Sequence, residues 1–398
     1  MTTTSVIVVS YRPGDWLRPC LESVVGQADE VIVVDNASAG AAASSMAAEA
    51  GARAVRSRRN TGFAGGVALG LPEATGDVVA VLNDDAVAGP GWLASAAALL
   101  ADPGVAAVTP KVRLSGWFRE VQLGGEPWYA PGDARPLGRP LRSVTAGGAE
   151  VVAACVGAGL HDLETDDSGS RWRWTRPGLP FYVPVEGQDS PVTVDGEPPP
   201  PGPTVRVLNH AGSYLRPHGV AAEQGFGAAD DGRFDQPGEP FGFSGTAPVF
   251  RAETLRRLGA FAVPFFAYNE DTDWCLRARL AGLRIAYDPG AVVTHRLSAT
   301  SGGTAAVLVR RLAQRNALLC LARNAPPAVA RPQIAERLAK WRHDRVARDL
   351  ARKLPWAVAT RLSMSRRWVR DPAEVWAEWV ERGSTWDTSP ARPQPFPE

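Results

Sequence analysis

Three carboxylates and an indole lie within residues 268–274, directly before a segment with a helical pattern. The carboxylates belong to Glu270, Asp271 and Asp273, and the indole to Trp274. Asp271 is near the predicted helix start, where the helix dipole stabilises an ionised carboxylate. Such a carboxylate can accept a proton from an attacking hydroxyl, which is general-base catalysis. Helix capping also explains one acidic residue at this position, but three carboxylates and an indole exceed what a cap requires.

A second acidic group, Asn83, Asp84 and Asp85, follows a strand-like run. Its oxygen atoms are hard ligands that suit Mg²⁺ or Mn²⁺, and such an ion can bridge carboxylates and a diphosphate. His295 follows another apolar run, and an imidazole can complete a carboxylate-rich metal site. Asn and Asp also favour turns after strands, and a single His more often serves structure, so both alternatives stay open.

Polar groups suited to a nucleotide follow a third strand-like run. Asp35 ends this run, and side chains in residues 35–38 can accept hydrogen bonds from a base or a ribose hydroxyl. Residues 58–66 place Arg59 and Asn60 among closely spaced glycines before a helical pattern, which lets donors approach a ligand closely. Turn formation alone also accounts for both segments.

The elements that must position these residues alternate between strand and helix. Residues 5–10, 30–35 and 78–82 are continuous β-branched runs, typical of parallel strands buried on both faces. Helical spacing covers residues 16–25 and 92–100. This alternation predicts an open α/β sheet whose ligand lies beyond the carboxyl ends of the strands, where the acidic residues are found.

The rest of the chain changes in character. Trp-, Gly- and Pro-rich alternating segments predict short antiparallel strands up to about residue 205. Helical patterns follow at 252–258 and 272–281, and strand patterns at 283–287 and 291–294. Beyond Ser298 the sequence predicts basic helices to about Arg370, and a disordered Pro-rich tail beyond Ser389.

Composition limits the class of protein. With 398 residues, 45% of them hydrophobic, the chain can bury one large core or several smaller ones. Four scattered cysteines indicate neither a disulfide framework nor a zinc site. No signal peptide and no apolar run long enough to span a membrane are recognised, so the expected location is the cytoplasm.

The charge is unevenly distributed. Residues 304–370 contain 16 Lys and Arg against Glu336, Asp344 and Asp349, a surplus of 13, whereas the whole chain carries +1. Such a block attracts phosphate, on lipid or on nucleic acid. No nucleic-acid reader motif accompanies it, so we expect an anionic membrane surface at the inner face of the cell membrane as a partner and no nucleic acid. Arginines that pair with acidic groups of the same chain are the competing interpretation.

Taken in order, these motifs resemble glycosyltransferase family 2, in particular its rhamnosyltransferase-like branch. The resemblance is carried by residues 6–11, 34–38, 59–65 and 82–85, and then by 243–247, 266–271 and 289–295. It implies a GT-A fold, meaning a nucleotide-sugar-binding open sheet, here with a β-rich insertion and a helical C-terminal region. The implied segments are a nucleotide-sugar half (1–114), the insertion (115–205), an acceptor half (206–303) and the basic helical region with its tail (304–398).

The resemblance also implies roles for single residues. Asp271 is the expected base, Asp85 the principal metal ligand and His295 a further metal or diphosphate ligand. Asp35 and Asp84 are the implied contacts to the nucleotide-sugar donor. The local sequence adds Arg59 and Asn60 as expected donor contacts and Glu270, Asp273 and Trp274 as expected acceptor contacts, with a core position beside Leu276 as the alternative for Trp274. The expected reaction is inverting, Mg²⁺- or Mn²⁺-dependent transfer to a saccharide or lipid-linked acceptor. Asn83 replaces the usual first acidic residue of the metal motif, which leaves open how Asp84 and Asp85 share the metal.

Three other classes of protein compete with this interpretation. A sugar nucleotidyltransferase would carry a Gly-rich phosphate loop after the first strand, where this chain has residues 11–15, Tyr-Arg-Pro-Gly-Asp. A dehydrogenase would need a G-x-G-x-x-G motif at the same place. A catalytically inactive carbohydrate-binding or scaffold protein is a third alternative, against which Asp85, Asp271 and His295 argue by their presence.

Overall fold

A computed structural model describes residues 2–166, 168–296 and 304–383. The predicted Pro-rich tail lies outside these residues. The helices in the described residues are α1 (Leu17–Val25), α2 (Ala42–Glu49), α3 (Gly62–Gly70), α4 (Trp92–Leu99), α5 (Ala252–Leu258), α6 (Glu270–Leu280), α7 (Thr304–Asn324), α8 (Pro327–Ala339), α9 (Arg345–Met364) and α10 (Pro372–Arg382).

The strands in the same residues are β1 (Thr4–Ser10), β2 (Glu30–Asp35), β3 (Arg53–Arg56), β4 (Val78–Asn83), β5 (Ala86–Ala88), β6 (Val105–Leu114), β7 (Trp117–Gln122), β8 (Pro140–Leu141), β9 (Val144–Ala146), β10 (Ala149–Glu150), β11 (Leu160–Thr165), β12 (Arg171–Thr175), β13 (Pro180–Val185), β14 (Val192–Val194), β15 (Thr204–Val205), β16 (Leu208–His210), β17 (Ser213–Leu215), β18 (Ala221–Glu223), β19 (Val249–Arg251) and β20 (Arg284–His295). The chain divides into two compact units.

The first unit covers residues 1–112, 210–224 and 235–385 and contains the main sheet. Its strand order is β3-β2-β1-β4-β19-β6-β20-β5. Strands β1 to β4 are parallel, whereas β19 and β20 run antiparallel to their partners β4 and β5. Ser10 pairs with Asp35 and Val9 with Asn83, so β1, β2 and β4 end at the same edge. The polar residues that follow these strands therefore lie beside one another.

Both faces of this sheet are buried, which explains why its central strands are continuous apolar runs. One face packs against α1, α2 and α4, and the other against α3, α5 and α6 together with the C-terminal helices. Close approach requires glycine on α3, because a Cβ at Gly66 would lie 2.3 Å from Cγ1 of Val9. Helix α3 consequently lies directly on β1, and its amino end reaches the edge where the polar residues lie.

Helices α7 to α10 belong to the first unit and enter its core. Leu319, Leu321 and Leu350 are fully buried or nearly so, and they share a hydrophobic cluster with the main sheet. Asp344 caps α9, and its carboxylate accepts a hydrogen bond of 2.7 Å from the backbone N–H of Val346. No helix in the described part of the chain has both the length and the hydropathy that a membrane crossing requires.

The second unit covers residues 113–209 and 225–234 of the described chain and is built from small antiparallel sheets. Their orders are β10-β9-β14, β11-β12-β8 and β13-β7-β15. Phe181 and Val183 of β13 and Val121 of β7 form its own apolar core. The insertion predicted at 115–205 falls inside this unit, and the division of the chain into four segments stays a prediction.

Most predicted elements of the main sheet are confirmed. The strands at 5–10, 30–35 and 78–82 are β1, β2 and β4, and the helices at 16–25, 92–100 and 252–258 are α1, α4 and α5. Two predictions are wrong. The separate strands at 283–287 and 291–294 form one strand, β20, because the chain stays extended through Pro289 and Gly290. The helix predicted to start at Thr272 begins at Glu270, because Asn269 adopts the left-handed conformation that ends the preceding loop.

Candidate active site

The acidic group after β4 lies beside the end of β20. His295, the last residue of β20, pairs with Ala86, the first residue of β5. This pairing places Nε2 of His295 3.0 Å from Oδ1 of Asp85, although the two residues are 210 positions apart. The backbone N–H of Arg296 also donates to the carbonyl of Asp85 over 3.0 Å. The structure thus brings together the two residues that the sequence analysis assigned to a metal.

Charge is concentrated at this corner. Burial raises the pKa of Asp84 to about 6, and the neighbouring charge of Asp85 adds to the increase. Burial also lowers the pKa of His210 to about 3, with His295 contributing, so the fully buried imidazole of His210 is neutral. Adjacent carboxylates that repel each other and face an imidazole suit a divalent cation. No group of three or more His, Cys, Asp or Glu in the described residues could hold a metal by itself.

Asn36 connects the end of β2 to the glycine-rich loop. Its Nδ2 donates to Oδ1 of Asn60 over 3.1 Å, and its Oδ1 accepts hydrogen bonds of 2.9 Å from the backbone and hydroxyl of Thr61. Asn60 in turn accepts from the backbone N–H of Gly62 over 2.8 Å. Asn60 is therefore occupied in holding its loop, while the side chain of Arg59 is exposed. The sequence analysis included Asn36 only among the possible nucleotide contacts of residues 35–38 and did not predict its hydrogen bonds to the glycine-rich loop.

Asp35, the last residue of β2, makes several hydrogen bonds within the protein. Its side chain is fully buried and accepts hydrogen bonds from the backbone of Ser38, the hydroxyl of Ser44 and the guanidinium of Arg56 over 2.7, 2.6 and 3.1 Å. Burial alone would raise the pKa of Asp35, but the hydrogen bonds from Ser44 and Ser38 outweigh it and the pKa is lowered. Both carboxylate oxygens accept hydrogen bonds inside the protein, so Asp35 shapes the loop after β2, and its expected contact to a nucleoside stays a prediction.

Asp271 lies in the first turn of α6 and is partly exposed. Its Oδ1 accepts a hydrogen bond of 2.7 Å from the backbone of Thr272, and its Oδ2 one of 3.1 Å from the backbone of Gly245. Burial raises the pKa of Asp271 despite these hydrogen bonds. A raised pKa makes the carboxylate a stronger base, which is the property that proton abstraction requires. Gly245 is a second contact that sequence reasoning missed.

The neighbouring Glu270 has a different character. It is buried, and its Oε2 makes no hydrogen bond within the described residues. Burial, together with the charge of Asp271, raises the pKa of Glu270 well above its ordinary value. Two adjacent carboxyl groups with separated pKa values can play different parts, with the lower one ionised. The neutral form is therefore favoured more strongly at Glu270 than at Asp271.

Two predicted acceptor contacts, Asp273 and Trp274, are wrong because both side chains are fully buried. Asp273 accepts hydrogen bonds from Nε of Arg277 over 3.0 Å, Nε of Arg323 over 2.6 Å and Nδ2 of Asn324 over 2.8 Å. These partners outweigh the effect of burial and lower the pKa of Asp273. Asp273 therefore stabilises the joint between α6 and α7.

Trp274 belongs to the aromatic core. Its ring centroid lies 4.9 Å from that of Phe250 and 5.5 Å from that of Phe243, and its Nε1 donates to the carbonyl of Gly259 over 3.1 Å. The aromatic side chain that is accessible in this motif is Tyr268, which is 40% exposed. A sugar ring that stacks near Asp271 would meet Tyr268 and not Trp274.

A single turn joins the metal corner to the predicted base. The carbonyl of Thr246 accepts a hydrogen bond of 2.9 Å from the backbone N–H of Asn83, at the end of β4. The preceding residue, Gly245, donates to Asp271 over 3.1 Å. Asp271 and the acidic group after β4 therefore lie on either side of one turn, at the same edge of the main sheet. The edge carries a candidate metal site and a candidate base together.

Comparison with protein families gives a match that agrees with this geometry. Residues 5–136 match the family described as Glycosyl transferase family 2. The matched segment is about a third of the chain and includes Asp84 and Asp85, but it ends before Asp271 and His295. No curated protein matches the chain. The matched segment and the mixed sheet are those of a GT-A-like α/β fold, and they support an enzyme of the glycosyltransferase class.

Solved structures show more distant likeness. GalNAc-T7 with UDP, GalNAc and Mn²⁺ is 13% identical, with 81% of this chain and 48% of that chain covered and a TM-score of 0.48. The mannosyltransferase PcManGT from Pyrobaculum calidifontis, in complex with GDP-Man and Mn²⁺, is 16% identical, with coverages of 96% and 83% and a TM-score of 0.42. The present chain thus spans about half the length of GalNAc-T7. These scores assign no residue and no ligand to it.

The corrected assignment of Asp273 makes a prediction about stability. Asp273→Asn should lower the free energy of unfolding by about 3–5 kcal/mol, because it leaves two buried guanidinium groups without their counter-charge. The loss should be smaller at low pH, where protonation of Asp273 already removes this contribution from the native protein. Urea unfolding at several pH values measures both effects. Asp271→Asn is the matched control in the same helix turn, and equal stability losses in the two variants would contradict the assignment.

Proposed function

We propose that the protein is an inverting glycosyltransferase that moves a sugar from a nucleotide diphosphate donor to a hydroxyl group of an acceptor. The observation that supports this most directly is the turn at Gly245 and Thr246, which joins Asp271 to the strand end that leads to Asp85. A donor diphosphate held at Asp85 would present its sugar toward Asp271. Inverting transfer needs this arrangement, because the base must act on the face of the sugar opposite to the leaving group.

The donor end of the site would use Asp85 and His295. Both side chains offer ligand atoms within 3.0 Å of each other, and a divalent cation needs further oxygens that a diphosphate and water can supply. A bound Mg²⁺ or Mn²⁺ would neutralise the charge that develops on the departing nucleotide diphosphate. Asp84 lies beside this pair, and the exposed guanidinium of Arg59 is available to a donor phosphate.

The chemical step would use Asp271. Its ionised carboxylate takes the proton from the acceptor hydroxyl, while the oxygen of that hydroxyl bonds to the anomeric carbon. The bond from the anomeric carbon to the diphosphate oxygen breaks, and the electron pair leaves with the nucleotide diphosphate. The backbone N–H groups of Gly245 and Thr272 hold the carboxylate in position, and the strongly raised pKa of Glu270 disfavours a second negative charge beside it.

The acceptor is proposed to be a saccharide or a polyprenyl-diphosphate-linked saccharide in the synthesis of a cell-envelope polysaccharide. Tyr268 supports a saccharide acceptor, because its exposed ring lies in the same motif as Asp271 and sugar faces stack on aromatic rings.

Rhamnose is the donor sugar that the motif resemblance favours. Thermal unfolding of the protein with a set of nucleotide sugars, including dTDP-rhamnose, tests the donor in Mn²⁺ and in EDTA. If no donor raises the unfolding temperature in Mn²⁺, the proposal is wrong.

Asp271→Asn should lower kcat by about 10²- to 10⁴-fold, because amide oxygen is a poor proton acceptor, while donor affinity stays unchanged. Since burial raises the pKa of Asp271, wild-type kcat should fall with decreasing pH above the ordinary Asp range, as the base becomes protonated. Turnover assays across pH and calorimetric donor binding measure these quantities. Near wild-type kcat in Asp271→Asn, when chemistry limits the rate, would contradict this role.

Asp85→Ala and His295→Ala should each weaken Mn²⁺-dependent donor binding by about tenfold or more, because each removes a proposed ligand. Calorimetric titration with the nucleoside diphosphate in Mn²⁺ measures the change, and urea unfolding shows how much stability is lost. His343→Ala is the control, because His343 is exposed on the C-terminal region. Unchanged metal-dependent affinity in both variants would rule out this metal site.

The C-terminal helices carry a surface suited to an anionic membrane. Residues 351, 355, 358, 359 and 362 form an exposed stripe of Ala, Pro, Val and Leu along α9. An apolar groove of about 560 Å³ lies along the stripe, where Leu338 of α8 contributes. Exposed Arg352, Arg366 and Arg367 flank the stripe. Basic side chains attract anionic headgroups while the apolar residues enter the interface, so we propose reversible attachment at the inner face of the membrane.

Wild-type protein should co-sediment with vesicles that contain phosphatidylglycerol, and binding should fall as salt rises. Leu362→Glu should weaken this binding, because Leu362 is 66% exposed on the apolar stripe and a carboxylate there opposes insertion. Val25→Glu is the control, since Val25 is an exposed apolar residue of α1 and the charge change is the same. Absence of binding at low ionic strength, or equal loss in both variants, would exclude the proposed surface.

A further inference from the structure

The segment that leads to the predicted base has an unfavourable backbone conformation. Phe266 has φ 71° and ψ −64°, a γ-turn geometry that L residues rarely adopt. Tyr268 and Asn269 also have positive φ, at 72° and 63°. None of the three is glycine, and Asn269 immediately precedes α6 and Asp271. Such a conformation persists only where the surrounding structure holds it in place.

Asn316 of α7 holds this segment by its carbonyl groups. It is fully buried, and its Nδ2 donates to the carbonyls of Phe265, Ala267 and Tyr268 over 2.9, 2.7 and 2.7 Å. Its Oδ1 accepts two hydrogen bonds from the guanidinium of Arg315, which fixes the orientation of the amide. The two N–H groups of one side-chain amide thus serve three carbonyls of the strained segment.

Other groups of the C-terminal helices support the same segment. Arg315 donates through Nη2 to the carbonyl of Phe265 over 2.8 Å. Lys353 of α9 donates to the carbonyl of Pro264 over 2.8 Å. In the opposite direction, Nδ2 of Asn269 donates to the carbonyl of Ala313 over 3.3 Å. Helices α7 and α9 therefore grip residues 264–269 at several points.

Away from α7 and α9, the same segment contacts the glycine-rich loop of residues 58–66. The carbonyl of Phe266 accepts a hydrogen bond of 3.0 Å from the backbone N–H of Ala64, in the first turn of α3. A Cβ at Gly62 would lie 2.2 Å from the same carbonyl oxygen, so the two backbones are in close contact. The backbone conformation of Phe266 therefore helps to position the glycine-rich loop as well as the start of α6.

We propose that Asn316, supported by Arg315, is a positioning residue that fixes Asp271 for proton abstraction, and that α7 is therefore part of the catalytic apparatus. This inference rests on the proposed function for its catalytic consequence. General-base catalysis requires the carboxylate within hydrogen-bond reach of the acceptor hydroxyl, and a displacement of about 1 Å can cost about 10²-fold in rate. Asn316 touches neither donor nor acceptor in this scheme and acts through the backbone that places Asp271.

The first test does not depend on activity. In Asn316→Ala, hydrogen–deuterium exchange of the amides in residues 265–272 should be about tenfold faster or more, because the carbonyls of Phe265, Ala267 and Tyr268 each lose the Asn316 donor and the segment opens. Asn324→Ala is the matched control, since Asn324 is a buried Asn of the same helix whose Nδ2 contacts Asp273. If Asn316→Ala does not fold, Lys353→Met removes one hydrogen bond and should give a smaller increase. Unchanged exchange in these variants would show that Asn316 and Lys353 do not hold residues 264–269 in place.

The second test separates positioning from general stability. Asn316→Ala should lower kcat by about 10- to 100-fold with donor Kd changed less than about twofold, whereas Asn324→Ala should keep kcat. In the Asp271→Asn background, Asn316→Ala should have no further effect on kcat, because its action passes through the base. A full additional loss in that background would overturn the positioning role. If the wild-type protein transfers no sugar at all, the proposed function is wrong. The exchange test still decides whether Asn316 holds residues 264–269 in place.

Discussion

The first turn of α6 brings three carboxyl groups into the protein interior, and the site depends on how each is accommodated. A buried carboxylate needs a counter-charge, hydrogen-bond donors or a proton. Asp273 has two guanidinium partners, Asp271 has two backbone N–H groups, and Glu270 has a pKa raised well above its ordinary value. Each carboxyl group therefore has a different chemical character, and Asp271 is the one of the three that is still partly open to solvent.

The sequence was sufficient to predict the parallel strands β1, β2 and β4 of the main sheet and the edge at which the candidate site lies. Strands β1, β2 and β4 are buried on both faces and therefore read as unbroken apolar runs. The polar residues after them mark their carboxyl ends, which coincide in a parallel sheet. The proximity of Asp85 and His295 followed from motif resemblance, and its physical cause, the pairing of β5 with β20, was not visible in either segment alone.

The sequence alone could not distinguish structural from functional residues where their partners lie far along the chain. Asp271 and Asp273 lie in the same helix turn, and Asp273 is made structural by Arg277, four positions later, together with Arg323 and Asn324, some 50 positions later. Strand β6 was not predicted because it buries Lys111, which pairs with Asp235 in the described structure. Strand β3 was not predicted because its residues are largely exposed at the edge of the sheet and do not form an apolar run. Asn316 left a signal, an adjacent Arg–Asn pair heading a run of buried residues.

The basic C-terminal helices illustrate how one composition can serve two purposes. Arg315, Arg323 and Arg361 turn inward and donate to carbonyls or to Asp273, so part of the surplus positive charge is used within the fold. Arg352, Arg366 and Arg367 stay exposed beside the apolar stripe of α9. The same α9 that presents this stripe also donates from Lys353 to the segment before Asp271. Helix α9 and the segment before Asp271 are therefore joined by a direct hydrogen bond, so a change in the position of α9 would alter the support of that segment.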